Sequence, residues 1–591
     1  VPGPLDNTEV HLVENLEDLD RLRTWLGERR EWLACDIETE GLNVGRDAIR
    51  LCQLGDKNHG WAIPWADWRG AVKDMLPVYD GKVVFHNALF DTRFLKRDGV
   101  VIPQHRVHDT YPMAHLVDPR SGVSLKGGGA RYVDARAYMG SSGLSDAYKA
   151  GKWDWRTIPI DHPAFWVYSA MDTVLTALLA EELWPQIQPF MKVYEVEMAA
   201  IHVLRDAGLR GMAIDLDYTR RERAFLENRV EQLRAHLPFE PSKEAQVIEW
   251  LQSKGAVLVE RTDAGNLSVD DDVLEEQEAY FPEVRTLREC RKRERMVNNY
   301  FKKFEDENVG GVLYPSVKVL AAKTARMSVT DPPLQTLPRG QMVRNCFVPR
   351  SEGSSLILAD YDACELRVLA SFAEERPMIE AFERGEDLHT WVASQAYEVP
   401  ISEVTKPQRQ VSKNTQYARV YGAGNAKIAL TAGVPVDVID RFMVKYNELF
   451  PGVQDWMMAT IAQVRSSSFK GDSKTGYVET ILGRRLPVEK SKAFKGINYL
   501  IQSSATADLL KLKLVELAAA GLGDKILLPV HDEVVFEASD DELEDVVATI
   551  HDVFPEHRLF QCPIAIDVNT TKRWGSKYAG MDSPLFEEYA A

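Results

Sequence analysis

The chain has 591 residues, of which 45% are hydrophobic and 27% charged, ordinary proportions for a globular protein of about four domains. A chain this long buries large cores, which excludes disorder and fibrous repeats. The net charge is −18, from 71 basic and 89 acidic residues, so phosphate binding requires a local basic surface rather than the charge of the whole chain. Six scattered cysteines (Cys35, Cys52, Cys290, Cys346, Cys364 and Cys562) form no CxxC pair. Neither a disulfide framework nor a thiolate zinc site is expected, and a reducing cytoplasm fits. No apolar run is expected to reach the ~20 residues of a spanning helix, and the first residues carry no signal-like stretch.

Residues 1–190 alternate strand-like apolar runs, at 32–37, 49–54 and 82–85, with helical patterns, the signature of an α/β layer. Residues 191–310 turn helical, with amphipathic stretches such as 218–237. Within them, 285–303 concentrates Arg285, Arg288, Arg291, Lys292, Arg293, Arg295, Lys302 and Lys303 against only Glu289 and Glu294. This is a candidate cationic face. Strands return at 311–319 and 356–359, a helical block spans 403–465, and strands at 526–530 and 534–537 flank a short polar turn. The acids Asp540, Asp541, Glu542, Glu544 and Asp545 read as a solvated face. The expected organisation is an N-terminal α/β domain, a helical arm, and a mixed domain interrupted by a helical insertion.

The first chemical constellation lies in the N-terminal domain. The run Trp32-Leu33-Ala34-Cys35 leads into Asp36-Ile37-Glu38, and alternation on a strand puts Asp36 and Glu38 on one face. Carboxylates that close repel unless a cation sits between them, and hard divalent cations prefer such oxygen ligands. A second apolar run ends in His86-Asn87-Ala88-Leu89-Phe90-Asp91, and Tyr168 and Asp172 share a helix face by their spacing of four. In this order the pieces resemble the three exonuclease motifs of the DEDDy 3′–5′ exonucleases, the proofreading domains of DNA polymerases. The resemblance covers residues 10–190 and takes in Asp109-Thr110 and Leu125-Lys126. It implies that Asp36, Glu38, Asp91 and Asp172 hold two metal ions and that Tyr168 orients the attacking water.

The second constellation is more dispersed. Leu356-Ile357-Leu358-Ala359 is a buried-strand pattern ending in Asp360, and two apolar strands around His531-Asp532-Glu533 read as a hairpin with acids at its tip. Between them, steps of four put Arg409, Lys413, Tyr417 and Tyr421 on one helix face over ~18 Å, graded from cationic to aromatic as a nucleoside triphosphate is graded from phosphates to base. Asp360-Tyr361-x-x-x-Glu365-Leu366-Arg367 resembles motif A of family A DNA polymerases, the graded helix resembles motif B, and Val530-His531-Asp532-Glu533 resembles motif C. Thr324-Ala325-Arg326-Met327-Ser328 with Pro333-Leu334-Gln335, and the stretch holding Gly483-Arg484-Arg485, Asn498 and Gln502, also look like family segments.

The resemblance implies an α/β multidomain chain, with an RNase H-like exonuclease domain followed by a right-hand polymerase. The expected division is exonuclease 1–190, thumb 191–310, palm 311–372 and 498–591, and fingers 373–497. It implies that Asp360, Asp532 and the Tyr361 carbonyl bind metal, with two Mg2+ per active site and Mn2+ able to substitute. Arg409, Lys413 and His389 would contact triphosphate, Tyr417 the incoming sugar and base, and Tyr421 the templating position, bonded to Glu365. Arg326, Gln335, Asn498, Gln502, His531 and Arg485 would face primer–template, with Glu533 secondary and the basic run 285–303 holding duplex backbone. The implied partners are primer–template DNA and deoxynucleoside triphosphates, with a monomer, no membrane, a cytoplasmic setting, and no legible signal for a processivity partner.

Asp362-Ala363-Cys364 stands where bacterial repair enzymes carry Ser-Gln-Ile, and Tyr417 stands where many carry phenylalanine. The layout, with no 5′-nuclease stretch before residue 10, looks closer to phage replicative enzymes. Two rivals are a single-subunit RNA polymerase and a non-catalytic DNA-binding derivative. A bulky acid at Glu365 and the attached exonuclease oppose the first, and two intact carboxylate sets oppose the second.

Overall fold

The computed structural model describes residues 3–579 apart from 121–122, 263 and 339. The N-terminal sheet is built from β1 (Glu9–Leu12), β2 (Leu33–Thr39), β3 (Ile49–Gly55), β4 (His59–Pro64), β5 (Val83–Phe85) and β6 (Val107–Asp109), in the order β1-β4-β3-β2-β5-β6. The pairs β2–β3 and β3–β4 are antiparallel and the others parallel. The predicted strand at 32–37 continues to Thr39, so both acids lie within it. Apolar Cys35 and Ile37 are buried, while Asp36 and Glu38 point to the other, half-buried face.

The helix Pro163–Ile187 lies across five of these strands. Contrary to expectation, one helical run, Pro163–Arg210, is long and apolar enough to cross a membrane by length and composition. Its packing explains the composition: the first half covers the sheet, and Met191–Arg210 is wedged between the helices Ala88–Arg97 and Leu510–Leu517. A helix buried on several sides is apolar all round without any membrane.

Beyond β7 (Met212–Ala213), which pairs with β8 (Val312–Leu313), the chain forms an arm of the helices Leu216–Arg234, Glu244–Ser253, Asp271–Glu278 and Val284–Met296. Its tip has a small core of its own around Val247, Leu251, Leu274 and Leu287. The single strand expected at 311–319 is split into β8 and β9 (Ser316–Lys318), because Pro315 lies between them and cannot donate to a ladder. β9 pairs with β10 (Ser328–Thr330).

A second sheet follows the order β14-β15-β11-β16, all antiparallel, from β11 (Ser354–Tyr361), β14 (Ile526–Val530), β15 (Glu533–Ser539) and β16 (Ile566–Thr571). The insertion between β11 and β14 carries the hairpin of β12 (Thr475–Glu479) and β13 (Arg485–Glu489). It also carries the helices Lys406–Val420, Asn425–Ala432, Val436–Leu449 and Pro451–Ser466, where one helical block was expected. Gly422, Gly433, Pro435 and Pro451 supply the breaks. The acids expected to be solvated are partly paired, Asp540 with Lys572 and Glu542 with Lys525.

The two halves meet through a fully buried ionic network. The Glu197 carboxylate accepts two bonds from Lys511 at 2.8 and 2.9 Å and also pairs with Arg484. Arg484 reaches Asp508 at 3.3 Å, and Asp508 accepts from Thr480. Burial alone would raise the Glu197 pKa, but Lys511 and Arg484 outweigh it and hold the carboxyl below its ordinary value. Removing one partner strands the other charges in low dielectric, a cost of about 3–5 kcal/mol. We therefore expect Glu197→Gln to lower the Tm clearly in thermal unfolding followed by circular dichroism. A melting curve superimposable on the parent's would show that the network does not hold the halves together.

Candidate active sites

In the N-terminal domain, β2, the helix Ala88–Arg97 and the helix Pro163–Ile187 converge on one group of acids. Asp91 is buried and its Oδ1 accepts the Ile37 backbone N–H at 3.2 Å, while its carboxyl is hydrogen-bonded to that of Asp36. Glu38 accepts from the Ser169 hydroxyl at 3.0 Å. Lys126 pairs with Asp172, and its ammonium lies 4.3 Å from the centre of the Tyr168 ring. Burial pushes Asp36 up to about 6; burial and then Asp36 push Glu38 up to about 8 and Asp91 well above the carboxylate range. Burial holds Lys126 down at about 8 against the pull of Asp36 and Glu38. Beside Tyr168 opens a cleft of about 450 Å³ lined by Leu144, Val167, Met171 and Leu175, apolar walls that suit a nucleoside.

In the second sheet, Asp360 near the end of β11 is paired in register with Glu533 of β15, and Asp532 sits in the two-residue turn from β14 to β15. Two non-glycine residues with positive φ bracket these acids, Ala363 at 48° and His531 at 59°. Lys577 reaches Glu533 at 2.6 Å and Asp360 at 3.2 Å, and the Trp574 indole N–H donates to Glu533 at 3.0 Å. Burial and then Asp360 push Asp532 up to about 7. Asp360 Oδ1 is buried with no hydrogen-bond partner among the described residues.

Among the described residues, no three His, Cys, Asp or Glu side chains are gathered closely enough to hold an ion as they stand. The acids are held in pairs, with an ammonium group, Lys126 or Lys577, against each set. The donor set nevertheless fits hard divalent cations. It consists of carboxylate oxygens held in unfavourable charge states by burial and mutual repulsion, with one oxygen unpartnered.

The graded helix runs from Lys406 to Val420 and opens with a capping box of Thr405 and Gln408. Arg409, Lys413 and Tyr417 line a pocket of about 410 Å³ together with Asp362, Asp387 and His389. Arg409 is engaged by Asp387 at 2.5 Å. Burial holds His389 down at about 4, so its ring is neutral, and it is 3.2 Å from the Gln416 amide. Tyr421 lies just past the helix end, where its hydroxyl bonds both Glu365 oxygens at 3.1 Å. Burial and then Glu365 raise the Tyr421 pKa, and the nearby Gln502 side chain lowers it. Arg326 lies 3.9 Å from Glu365, the Gln335 backbone lies beside the His531 ring, and the Asn498 amide nitrogen is buried without a hydrogen-bond partner among the described residues.

The structure does not bring Arg485 into this group. The register of the β12–β13 hairpin sets it opposite Glu479, with which it pairs at 3.1 Å, and its guanidinium lies over Tyr477 and Phe190 on the seam with the N-terminal half. The basic run 285–303 also differs from expectation. Arg288 pairs with Asp271, Glu275 and Glu278, Arg291 donates to the Pro241 and Val269 carbonyls, and Arg285 and Arg293 pair with Glu289. Much of the run holds the arm's own helices together. Sequence reasoning gave no role to Lys126, Ser169, Lys577 or Trp574. Lys126 stands in a motif-like stretch, whereas Lys577 lies beyond the last strand with no local pattern around it.

Three comparisons with known proteins meet this geometry. The family model for DNA polymerase family A matches residues 217–576, and that for 3′–5′ exonuclease matches residues 10–188. The chain is 30% identical to the DNA polymerase of Mycobacterium phage L5 over 97% of its own length and 98% of that protein's. It is 25% identical to DNA polymerase I of Aquifex aeolicus over 93% and 96%. The fold matches the POL domain of Pol1 from M. smegmatis, solved in complex with DNA primer-template and dNTP, with a TM-score of 0.78 at 22% identity over 96% of this chain and all of that one. The chain belongs to DNA polymerase family A and carries an N-terminal 3′–5′ exonuclease domain.

Proposed function

We propose that this polymerase extends a primer 3′ end on a DNA template and excises misincorporated ends at a second, separate site. The observation that supports this most is the presence of two carboxylate sets on two different sheets. One set lies beside an apolar cleft and the other beside a cation-to-aromatic helix face. In this reading residues 1–190 form the exonuclease, 191–310 the thumb, 311–372 and 498–591 the palm, and 373–497 the fingers, and the chain acts as a monomer in the cytoplasm. Primer–template DNA and deoxynucleoside triphosphates are its substrates.

Asp360, Asp532 and the Tyr361 carbonyl would hold two Mg2+ or Mn2+ ions for synthesis, and Asp36, Glu38, Asp91 and Asp172 two for excision. Bound there, such ions supply a nucleophile of lowered pKa and stabilise charge on the transferred phosphate. The rest is the protein's own work. Lys577 balances Asp360 and Glu533, and Lys126 balances Asp172. Arg409 exchanges Asp387 for triphosphate, with Lys413 and the neutral His389 as further donors. Tyr168 places the attacking water, and Tyr417 packs on the incoming sugar. Arg326, Gln335, Asn498, Gln502 and His531 would face primer–template, with Arg326 beside Glu365.

The two activities are expected to separate. Asp360→Ala or Asp532→Ala abolishes primer extension and leaves single-strand 3′–5′ degradation, and Asp36→Ala with Glu38→Ala does the reverse. Loss of both activities from a folded Asp360→Ala protein would defeat the two-site reading. Glu365, in the first turn of the helix Cys364–Phe372, places a long acid where a 2′-hydroxyl would enter. Glu365→Ala is therefore expected to raise ribonucleotide incorporation in a competition assay, and unchanged selectivity would remove Glu365 as the gate.

Tyr417 brings a hydroxyl to the sugar pocket, where it can bond near the place left by a missing 3′-hydroxyl. Dideoxynucleotides are then accepted readily, and Tyr417→Phe discriminates against them about ten- to a hundredfold more, the weight of one buried polar contact. Chain termination at fixed dideoxy-to-deoxy ratios, in an exonuclease-inactive background, measures this. Equal termination by both proteins would take Tyr417 out of the sugar pocket.

A further inference from the structure

The turn at residues 320–326 precedes the polymerase acids in the chain, and its outer contacts come from both halves of the molecule. Tyr111 donates its hydroxyl to the Leu320 carbonyl at 2.8 Å, and His115 Nε2 lies 3.1 Å from the Ala322 carbonyl. From the polymerase half, Ser503 donates to the Thr324 carbonyl at 2.8 Å and Lys511 to the Ala325 carbonyl at 3.0 Å. Between these anchors the turn closes through Ala325 N–H to Ala322 and Ala321 N–H to Arg326, with Ala325 at a φ of 60°. It delivers Arg326, which donates to Thr506 at 3.0 Å and lies 3.9 Å from Glu365.

Tyr111 and His115 stand on the exonuclease helix Thr110–Val117. Asp109, fully buried, caps this helix through the Tyr111 N–H. It also takes the N–H groups of Asn87 and Ala88 at 2.9 and 2.7 Å, at the start of the helix that carries Asp91. One carboxylate thus anchors both helices. His115 is buried and neutral, so a carbonyl partner requires the proton on Nε2, and its Nδ1 has no hydrogen-bond partner among the described residues.

We propose that Tyr111 and His115, residues of the exonuclease domain, are positioning residues for DNA synthesis: they hold the 320–326 turn and thereby set Arg326 against Glu365. This rests on the reading that Arg326 serves the polymerase site.

The test is a double-mutant cycle in the full chain, with Asp36→Ala and Glu38→Ala present so that excision does not enter. Steady-state extension of a primer–template gives kcat and KM for each protein. Arg326→Ala is expected to lower extension efficiency. Tyr111→Phe is expected to lower it about fivefold when Arg326 is present, the weight of one net hydrogen bond, and to change it little when Arg326 is alanine. Arg326→Ala without effect would overturn the reading on which the proposal rests. An effect of Arg326→Ala with equal losses from Tyr111→Phe in both backgrounds would leave that reading intact and overturn the relay. The pair His115→Leu and His115→Gln gives a second line should Tyr111→Phe fold poorly. Glutamine keeps a donor for Ala322 and should recover most of the extension that leucine loses, and equal losses would reduce His115 to packing and overturn its role.

Discussion

Both sites rest on the burial of closely set carboxylates. At each site apolar strands or helices carry acids into a half-buried space, where burial and then proximity raise Glu38, Asp91 and Asp532. A lysine ammonium stands against each set, Lys126 below and Lys577 above. Such an arrangement is poor for stability alone, because apolar side chains of the same volume would pack the space without the desolvation cost. It makes sense as a receptor for multivalent cations, and the polar side chains nearby, Ser169 and Trp574, orient single carboxylate oxygens rather than neutralise the group.

What could be read in the sequence follows from the range of the signal. Strand alternation placed Asp36 and Glu38 on one face, and a step of four placed Arg409, Lys413 and Tyr417 on another, because both patterns lie within a few residues. Asp360 and Asp532 came from separate segments, and only the resemblance to a family joined them. The partners that complete each site are remote: Lys126 is 46 residues from Asp172, Lys577 is 217 from Asp360, and Arg484 is 287 from Glu197. No local pattern marks such pairs. The same limit explains the basic run 285–303. Within the run only two acids oppose the cations, but the fold brings Asp271, Glu275 and Glu278 onto Arg288, and backbone carbonyls onto Arg291.

The seam between the halves is closed by directional contacts as well as apolar ones. Apolar packing is indifferent to small rotations, whereas a carboxylate that accepts from Lys511 and Arg484 while Asp508 and Thr480 complete the network has one satisfactory geometry. The helix Met191–Arg210, which carries Glu197, touches both the exonuclease helix that holds Asp91 and the polymerase helix that holds Lys511. Orientation of the halves is therefore set at the level of individual hydrogen bonds.

This has a consequence for how two chemistries share one chain. Each carboxylate set lies on its own sheet and flanking helices, and in the proposed reading the bond-breaking and bond-making groups are independent. The frames that hold them are not. Lys511 belongs at once to the buried network and to the 320–326 turn, and Asp109 caps helices that lead in opposite directions, one to Asp91 and one to Tyr111 and His115. In that reading a group that reacts can be changed at one site without reaching the other. A group that positions lies in the shared frame, where the carbonyls of one turn take their side-chain donors from both halves of the chain.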